Sequence, residues 1–186
     1  MKNKSVFILL FTAFLAWNCE ENTTLPKPEA MLRLEYPNAI TKRLDTSCDY
    51  SFDYNGLAFA ERSDNCALTL EYPSMNGTIF LTYKRVNDNL KALIVDAEKL
   101  SSEHMKKADG FFEQPFVNAD SKVYGMFYEV KGNTASQAQF YVTDSTEHFL
   151  TGSLYFKAKP NYDSILPAAI YLQRDIRKIM ESLRWK

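Results

Sequence analysis

Residues 122–158 read KVYGMFYEVKGNTASQAQFYVTDSTEHFLTGSLYFKA, and this stretch decides the fold. It contains three runs that are rich in β-branched and aromatic residues, the types that favour strands. Gly132-Asn133 separates the first run from the second, and Asp144-Ser145-Thr146 separates the second from the third; both groups favour turns. The stretch therefore predicts a three-stranded antiparallel meander. Its strands are expected at 122–131, 138–143 and 148–158.

The sequence upstream of this stretch, from Cys48 to Val86, alternates apolar and polar residues with period two. This is the pattern of strands with one buried face. A strand at 48–54 is expected to pair with one at 57–60 across Asn55-Gly56, and a strand at 67–72 with one at 78–85 across Asn76-Gly77, because Asn-Gly pairs favour tight turns. A further strand is expected at 33–37, where Pro37 ends it.

Two other segments have helical periodicity. Over 87–108 the apolar residues recur every three or four positions, with Asp88 as a candidate N-cap and Gly110 as a candidate terminator. The same spacing continues from about residue 163 to 183, where Pro167 is tolerated because it lies in the first turn. The order of strands, helix, strands and helix predicts the α+β class. We expect an antiparallel sheet of about six or seven strands covered by two helices.

The amino terminus has the features of an export signal. Lys2 and Lys4 precede an apolar run at 6–17, and Cys19 follows it. The run is too short to cross a bilayer, which requires about 20 apolar residues. We therefore predict a signal peptide at 1–18, a lipidated amino terminus and tether at 19–32, and a single globular domain at 33–186. The alternative for Cys19 is an incidental thiol in a cleaved signal peptide or a retained anchor.

The other two cysteines indicate a covalent crosslink, and the net charge limits the partners that are expected. With Cys19 assigned to the lipid, Cys48 and Cys66 remain as a pair in an oxidising compartment, and a disulfide between them is expected. Two buried free thiols are the alternative. The formal net charge of −1 includes no basic excess that could neutralise nucleic-acid phosphates. We expect no binding to nucleic acid.

The sequence contains no motif that indicates catalysis. It has no Gly-x-Ser-x-Gly, no His-Glu-x-x-His, no glycine-rich phosphate loop and no acidic calcium loop. The two histidines are interpreted structurally, His104 as a residue at the boundary of a helical stripe and His148 as a strand-edge residue. We therefore predict no enzyme activity, no catalytic residues, no metal site and no cofactor.

Several stretches resemble a known family. Residues 26–37, PKPEAMLRLEYP, are similar to the start of the mature domain in gliding-motility lipoproteins of the GldD type, which occur in Bacteroidetes. The similarity continues through 48–52, 70–73, 103–108, 140–145 and 152–156, and it covers residues 19–186. The resemblance implies an envelope lipoprotein that is required for gliding and for type IX secretion, with Cys19 at the family's lipidated position. The last predicted strands and the last predicted helix of the chain are also similar to PsbP/Mog1-like domains.

Two functions follow as hypotheses. The first is a membrane-anchored, non-enzymatic component of the gliding motility and type IX secretion apparatus, whose acyl chains hold it in the cell envelope and whose surface binds other proteins of that machinery. Its location, on the periplasmic side of a membrane or at the cell surface, stays open. The second is an envelope module that binds a small ligand or a glycan, because aromatic residues are concentrated on the predicted strands.

Overall fold

The computed structural model describes residues 34–45, 47–105, 108–157 and 161–186, and for 103–105 it describes the backbone only. These residues form ten strands and two α-helices, and a short 3-10 helix at Pro73–Met75 follows the fourth strand. The strands are β1 Thr41–Asp45, β2 Tyr50–Asn55, β3 Phe59–Arg62, β4 Leu68–Tyr72, β5 Gly77–Arg85, β6 Gly110–Asn118, β7 Val123–Lys131, β8 Ser136–Thr143, β9 His148–Phe156 and β10 Arg184–Trp185. The helices are α1 Leu90–Met105 and α2 Tyr162–Ser182.

The main sheet has seven strands in the order β3-β4-β5-β9-β8-β7-β6, and all neighbours are antiparallel. The predicted meander is confirmed as β7, β8 and β9, and the predicted hairpin as β4 and β5. The long pairing of β5 with β9, in which Ile79 lies opposite Leu154, joins the two halves of the chain. The predicted α+β class with an antiparallel sheet is confirmed.

The two helices lie on opposite faces of this sheet. Two adjacent residues of β7 show that each face has its own apolar cluster. Phe127 belongs to the core beneath α2, and Tyr128 belongs to the cluster beneath α1. Because successive side chains of a strand point to opposite faces, each helix covers a different face. Burial against α2 is extensive and includes Leu172, Ile176 and Ile179, whereas among the side chains of α1 that the structure describes, Leu93 alone is apolar and buried.

A second sheet, of three strands in the order β1-β2-β10, corrects one prediction. The strand at 48–54 was expected to pair with that at 57–60, but β2 pairs with β1 and β10. Asn55 does not form a two-residue hairpin turn, because its Oδ1 accepts hydrogen bonds from the N–H groups of Leu57 and Ile40. The chain then passes to β3, which pairs with β4.

Predictions about the start of the domain, the first residue of α1 and one edge of the main sheet were also wrong. Residues 34–40 have no regular structure, because Tyr36 and Pro37 make side-chain and carbonyl contacts with Tyr171 in place of a strand ladder. Asp88 is not the N-cap of α1: it has a φ of +57°, and the Asn89 carbonyl accepts the first helical hydrogen bond. Gly110 begins β6, an edge strand that the sequence did not predict.

Candidate functional site

The face of the main sheet beneath α1 is only half covered. α1 packs mainly over β7, β8 and β9, which leaves β3, β4 and most of β5 without a covering helix on this face. Two aromatic side chains are exposed on this part of the sheet, Phe59 at 70% and Phe80 at 44%. The Phe80 ring makes an edge-to-face contact with Tyr155 of β9. We call this surface the open face; it consists of Phe59, Thr69, Glu71, Phe80, Thr82 and Tyr155.

The open face combines apolar and charged groups. Phe59 lies opposite Glu71 in the β3–β4 register, and Lys157 forms an ion pair with Glu71. Exposed aromatic side chains rimmed by polar residues are typical of surfaces that bind other molecules. The arrangement can hold a partner by apolar contact and orient it by charge.

A cleft of about 180 Å³ lies between α1 and the sheet, next to the open face. Thr82 belongs to both surfaces, so the cleft continues into the open face. Both apolar and polar side chains line it. The apolar part of the lining includes Leu93, Ala97, Leu100 and Phe149, and the polar part includes Lys84, Asp96, Ser101 and Gln139.

The polar side of the cleft is centred on Gln139 of β8. Its side chain is 3% exposed, and the Ser101 hydroxyl donates a hydrogen bond to its Oε1 at 2.8 Å. The amide Nε2 has no hydrogen-bond partner among the described residues. Lys84 and Asp96 are exposed lining residues on β5 and α1. The cleft is therefore lined by a buried polar pair, Ser101 and Gln139, and by an exposed charged group of each sign.

A groove lies on the other side of the sheet, between the segment at 34–39 and α2. Its buried polar centre is Asp175, which accepts a hydrogen bond from Asn55 Nδ2 at 2.9 Å. Burial raises the pKa of the Asp175 carboxyl, and the hydrogen bond from Asn55 partly opposes that shift. Tyr171 donates to the Pro37 carbonyl at 2.7 Å and thereby holds the segment on the helix.

The structure places the sequence-predicted site residues as follows. Cys48 and Cys66 are joined by a disulfide, with their Cα atoms 5.9 Å apart. Cys19, the predicted lipid site, lies outside the described residues, and so does the side chain of His104. His148 is the first residue of β9 and is buried; its ring stacks on Trp185, and its Nδ1 lies 2.8 Å from the Tyr83 hydroxyl.

The described part of the chain contains no group of three or more His, Cys, Asp or Glu side chains that could hold a metal ion. Within the same residues, no helix is both long enough and apolar enough to cross a membrane.

Sequence reasoning did not find the cleft, although it left a signal. Every residue of β8 is buried, and Gln139 is one of its polar residues, with Ser136, Gln137 and Thr143. Ser101 follows Leu93 and Ala97 at helical spacing and so continues the apolar stripe of α1 with a hydroxyl. A polar residue on each of two packed elements indicates a polar contact between them.

The fold is that of an α+β domain in which a helix covers only part of one face of the sheet. The open face and the cleft beside it are surfaces at which such a domain can bind another molecule. The family model for the gliding motility lipoprotein GldD matches residues 21–185. The chain therefore belongs to the GldD family of gliding motility lipoproteins, which makes it a gliding motility component. A search of curated proteins finds no match to it.

Proposed function

We propose that this protein is a non-enzymatic scaffold of the gliding motility and type IX secretion apparatus, held in the cell envelope by acyl chains on Cys19. The match to the GldD family over residues 21–185 carries the proposal. Cys19 lies two positions before the matched region and follows the apolar run at 6–17. Two or more acyl chains are required for stable attachment, and a lipidated amino-terminal cysteine supplies them.

The open face is the surface proposed to bind another protein of the machinery. Phe59 and Phe80 project from β3 and β5 on the part of the sheet face that α1 leaves open, and Glu71 with Lys157 adds a charged pair beside them. A protein interface depends on a few apolar anchors within a polar rim, and the open face has this composition.

Complementation of a deletion strain tests the proposal. The strain receives either the wild-type gene or the double variant Phe59→Glu, Phe80→Glu, and we measure gliding, secretion through the type IX system and the amount of lipoprotein in the membrane fraction. We expect the double variant to reach the wild-type amount and to lose gliding and secretion, because two carboxylates desolvate poorly in an apolar contact.

The matched control changes two apolar residues that are similarly exposed at the opposite edge of the sheet. Phe112→Glu with Val117→Glu alters side chains that are 55% and 71% exposed, and we expect gliding to be retained. Normal gliding and secretion by the deletion strain would overturn the function. Normal gliding by the Phe59 and Phe80 variant would exclude the open face as the docking surface.

A module for a small ligand or glycan is the second candidate, and the cleft under α1 favours it. However, its volume of about 180 Å³ lies below the roughly 300–1,000 Å³ of most small-molecule sites. The scaffold therefore ranks first.

A further inference from the structure

The connection to the predicted lipid site reaches the domain at one side of α2. Residues 20–33 separate Cys19 from Leu34, and a chain of this length spans at most about 50 Å. Leu34 lies beside α2, and the hydrogen bond from Tyr171 to the Pro37 carbonyl holds its segment there. With acyl chains on Cys19, this side of the domain is the one drawn toward the membrane.

Three exposed aliphatic side chains lie around this point. Leu34 is 47% exposed, Ile40 58% and Ile170 42%. Leu34 and Ile170 line the groove beside α2. Asn55 joins Ile40 to the same helix, since it accepts a hydrogen bond from the Ile40 N–H and donates one to the Tyr171 hydroxyl. Aliphatic side chains that are exposed together indicate a surface that contacts another molecule or a membrane.

Basic side chains lie among these aliphatic groups. Arg174 and Lys178 follow Ile170 at intervals of four residues, so the three share one side of α2. Lys178 donates a hydrogen bond to the Thr41 hydroxyl, which places it beside the start of β1, and Lys42 is the next residue of that strand. Neither Lys42 nor Arg174 has an ion-pair partner in the part of the chain that the structure describes.

The carboxylates nearby do not cancel this charge. Asp175 is buried and bonded to Asn55, and Asp53 forms an ion pair with Arg43. Glu35 and Glu181 are exposed at the border, so the three basic groups outnumber the two exposed acidic ones. We call this the tether-side surface; it consists of Leu34, Ile40, Lys42, Ile170, Arg174 and Lys178.

We infer that the tether-side surface rests on the anionic phospholipid bilayer in which the protein is anchored. The three aliphatic side chains enter the boundary between headgroups and acyl chains, and the three basic ones contact lipid phosphates. Attachment at Cys19 keeps the surface at a high effective concentration near the bilayer, so a contact of modest affinity is occupied. The inference rests on the proposed acyl anchor at Cys19.

This orientation agrees with the proposed role of the open face. The two helices cover opposite faces of the main sheet, and the open face lies on the side of α1. A domain that rests on the bilayer through the outer side of α2 therefore directs Phe59 and Phe80 away from the lipid. Both aromatic side chains stay accessible to another protein.

Hydroxyl-radical footprinting of the lipoprotein on vesicles tests the inference. The complete lipoprotein, purified from membranes with its acyl chains, is added to preformed vesicles of phosphatidylcholine, either alone or with an equal part of phosphatidylglycerol. Mass spectrometry then measures the oxidation of each side chain. We expect oxidation of Leu34, Ile40 and Ile170 to fall at least about fivefold when phosphatidylglycerol is present, the factor expected for each basic group near an anionic surface.

Two side chains on the opposite side of the domain provide the internal control. Val95 and Leu100 of α1 are 51% and 47% exposed, similar to the three aliphatic side chains of the tether-side surface. We expect them to be oxidised equally on the two types of vesicle.

A pair of double variants tests the role of charge. Lys42→Gln with Arg174→Gln removes two exposed basic groups that have no ion-pair partner, so the fold should be retained. We expect this variant to lower the ratio of docked to undocked domain about 25-fold, two factors of about five, and to lose the protection by phosphatidylglycerol. The matched control, Lys84→Gln with Lys99→Gln, alters exposed residues on the side of α1 and should keep the protection.

Flotation of the same samples separates the inference from the proposed anchor. A protein that floats with both types of vesicle but has equal oxidation of Leu34, Ile40 and Ile170 on them would overturn the inference and retain the anchor. Protection of Val95 and Leu100 in their place would put the opposite side on the bilayer and overturn it as well. Flotation with the anionic vesicles alone would support the surface and overturn the anchor, and flotation with neither type would overturn both.

Discussion

At the scale of single residues, Gly125 shows how closely β7 and β8 approach each other. A Cβ atom at this position would lie 1.9 Å from the Tyr141 carbonyl oxygen, so a side chain would force the two backbones apart. We expect Gly125→Ala to lower the free energy of unfolding by about 2 kcal/mol or more. Urea unfolding of purified protein measures the change.

Gly110 in β6 provides the control for this prediction. A Cβ atom there would have its nearest neighbour at 3.6 Å, which is an ordinary contact. Gly110→Ala should therefore change the free energy of unfolding by no more than about 0.5 kcal/mol. Equal effects of the two substitutions would show that the backbone approach at Gly125 is unimportant.

Asp144 makes stability depend on pH in the acid range. Burial tends to raise the pKa of its carboxyl, but hydrogen bonds from the backbone N–H groups of His148, Thr146 and Glu147 outweigh it and lower the pKa to about 2. The corresponding pKa in the unfolded chain is about 3.9. Because the folded pKa is the lower one, the stabilisation is complete above the unfolded value and is lost as the pH falls through about 2.

The variant Asp144→Asn tests this dependence. We expect it to lower the free energy of unfolding at pH 6 by about 1 kcal/mol, a value reduced by screening because the carboxylate is partly exposed. The difference between variant and wild type should shrink toward pH 2, as measured by urea unfolding across the range. A difference that is independent of pH would contradict the assigned role of the carboxylate.

At the scale of elements, the disulfide connects the two sheets. Cys48 lies just before β2 of the small sheet, and Cys66 lies between β3 and β4 of the main sheet. With a sequence separation of 18, the crosslink should restrict the unfolded chain by about 3 kcal/mol in the chain-entropy model.

The double variant Cys48→Ala, Cys66→Ala should lose about this amount of stability in urea unfolding. A reductant should destabilise the wild-type protein to a similar extent and leave the double variant unchanged. A wild-type protein whose unfolding does not respond to complete reduction would show that the crosslink contributes nothing to stability.

The elements that the sequence predicted are those with a clear period in their apolar residues or a concentration of β-branched and aromatic residues. β4, β5, β7, β8, β9 and both helices belong to this group. The sequence did not predict β6, because Pro115 interrupts its alternation of apolar and polar residues. A proline is tolerated in an edge strand, since one side of that strand's backbone pairs with no other strand. β10 has two residues, Arg184 and Trp185, too few to show any period.

The surfaces were less predictable than the strands. The sequence shows that aromatic residues are concentrated on the predicted strands, but the exposure of Phe59 and Phe80 depends on where the cover of the sheet by α1 ends. The cleft likewise arises where α1 and the sheet separate, beside the hydrogen bond between Ser101 and Gln139 that joins them. Such a gap is set by tertiary packing, and the local periodicity indicates only that Ser101 continues the apolar stripe of α1.

At the scale of the whole molecule, the three cysteines have separate roles in the proposed function. Cys48 and Cys66 are joined within the folded domain, which leaves Cys19 as the remaining thiol. The region that matches the GldD family begins two residues after it. The proposed scaffold therefore depends on two separable properties: a folded domain that binds a partner and an acylated cysteine that holds the domain in the envelope.

Metabolic labelling with radioactive palmitate separates these properties. We expect the label to enter the wild-type protein and the double variant Cys48→Ala, Cys66→Ala, because both retain Cys19, and to be absent from Cys19→Ala. The Cys19→Ala protein should fail to restore gliding to the deletion strain, since a domain without acyl chains lacks the membrane affinity that they provide. Label retained by Cys19→Ala would place the lipid elsewhere, and gliding restored by an unlabelled Cys19→Ala protein would show that the domain functions without its anchor.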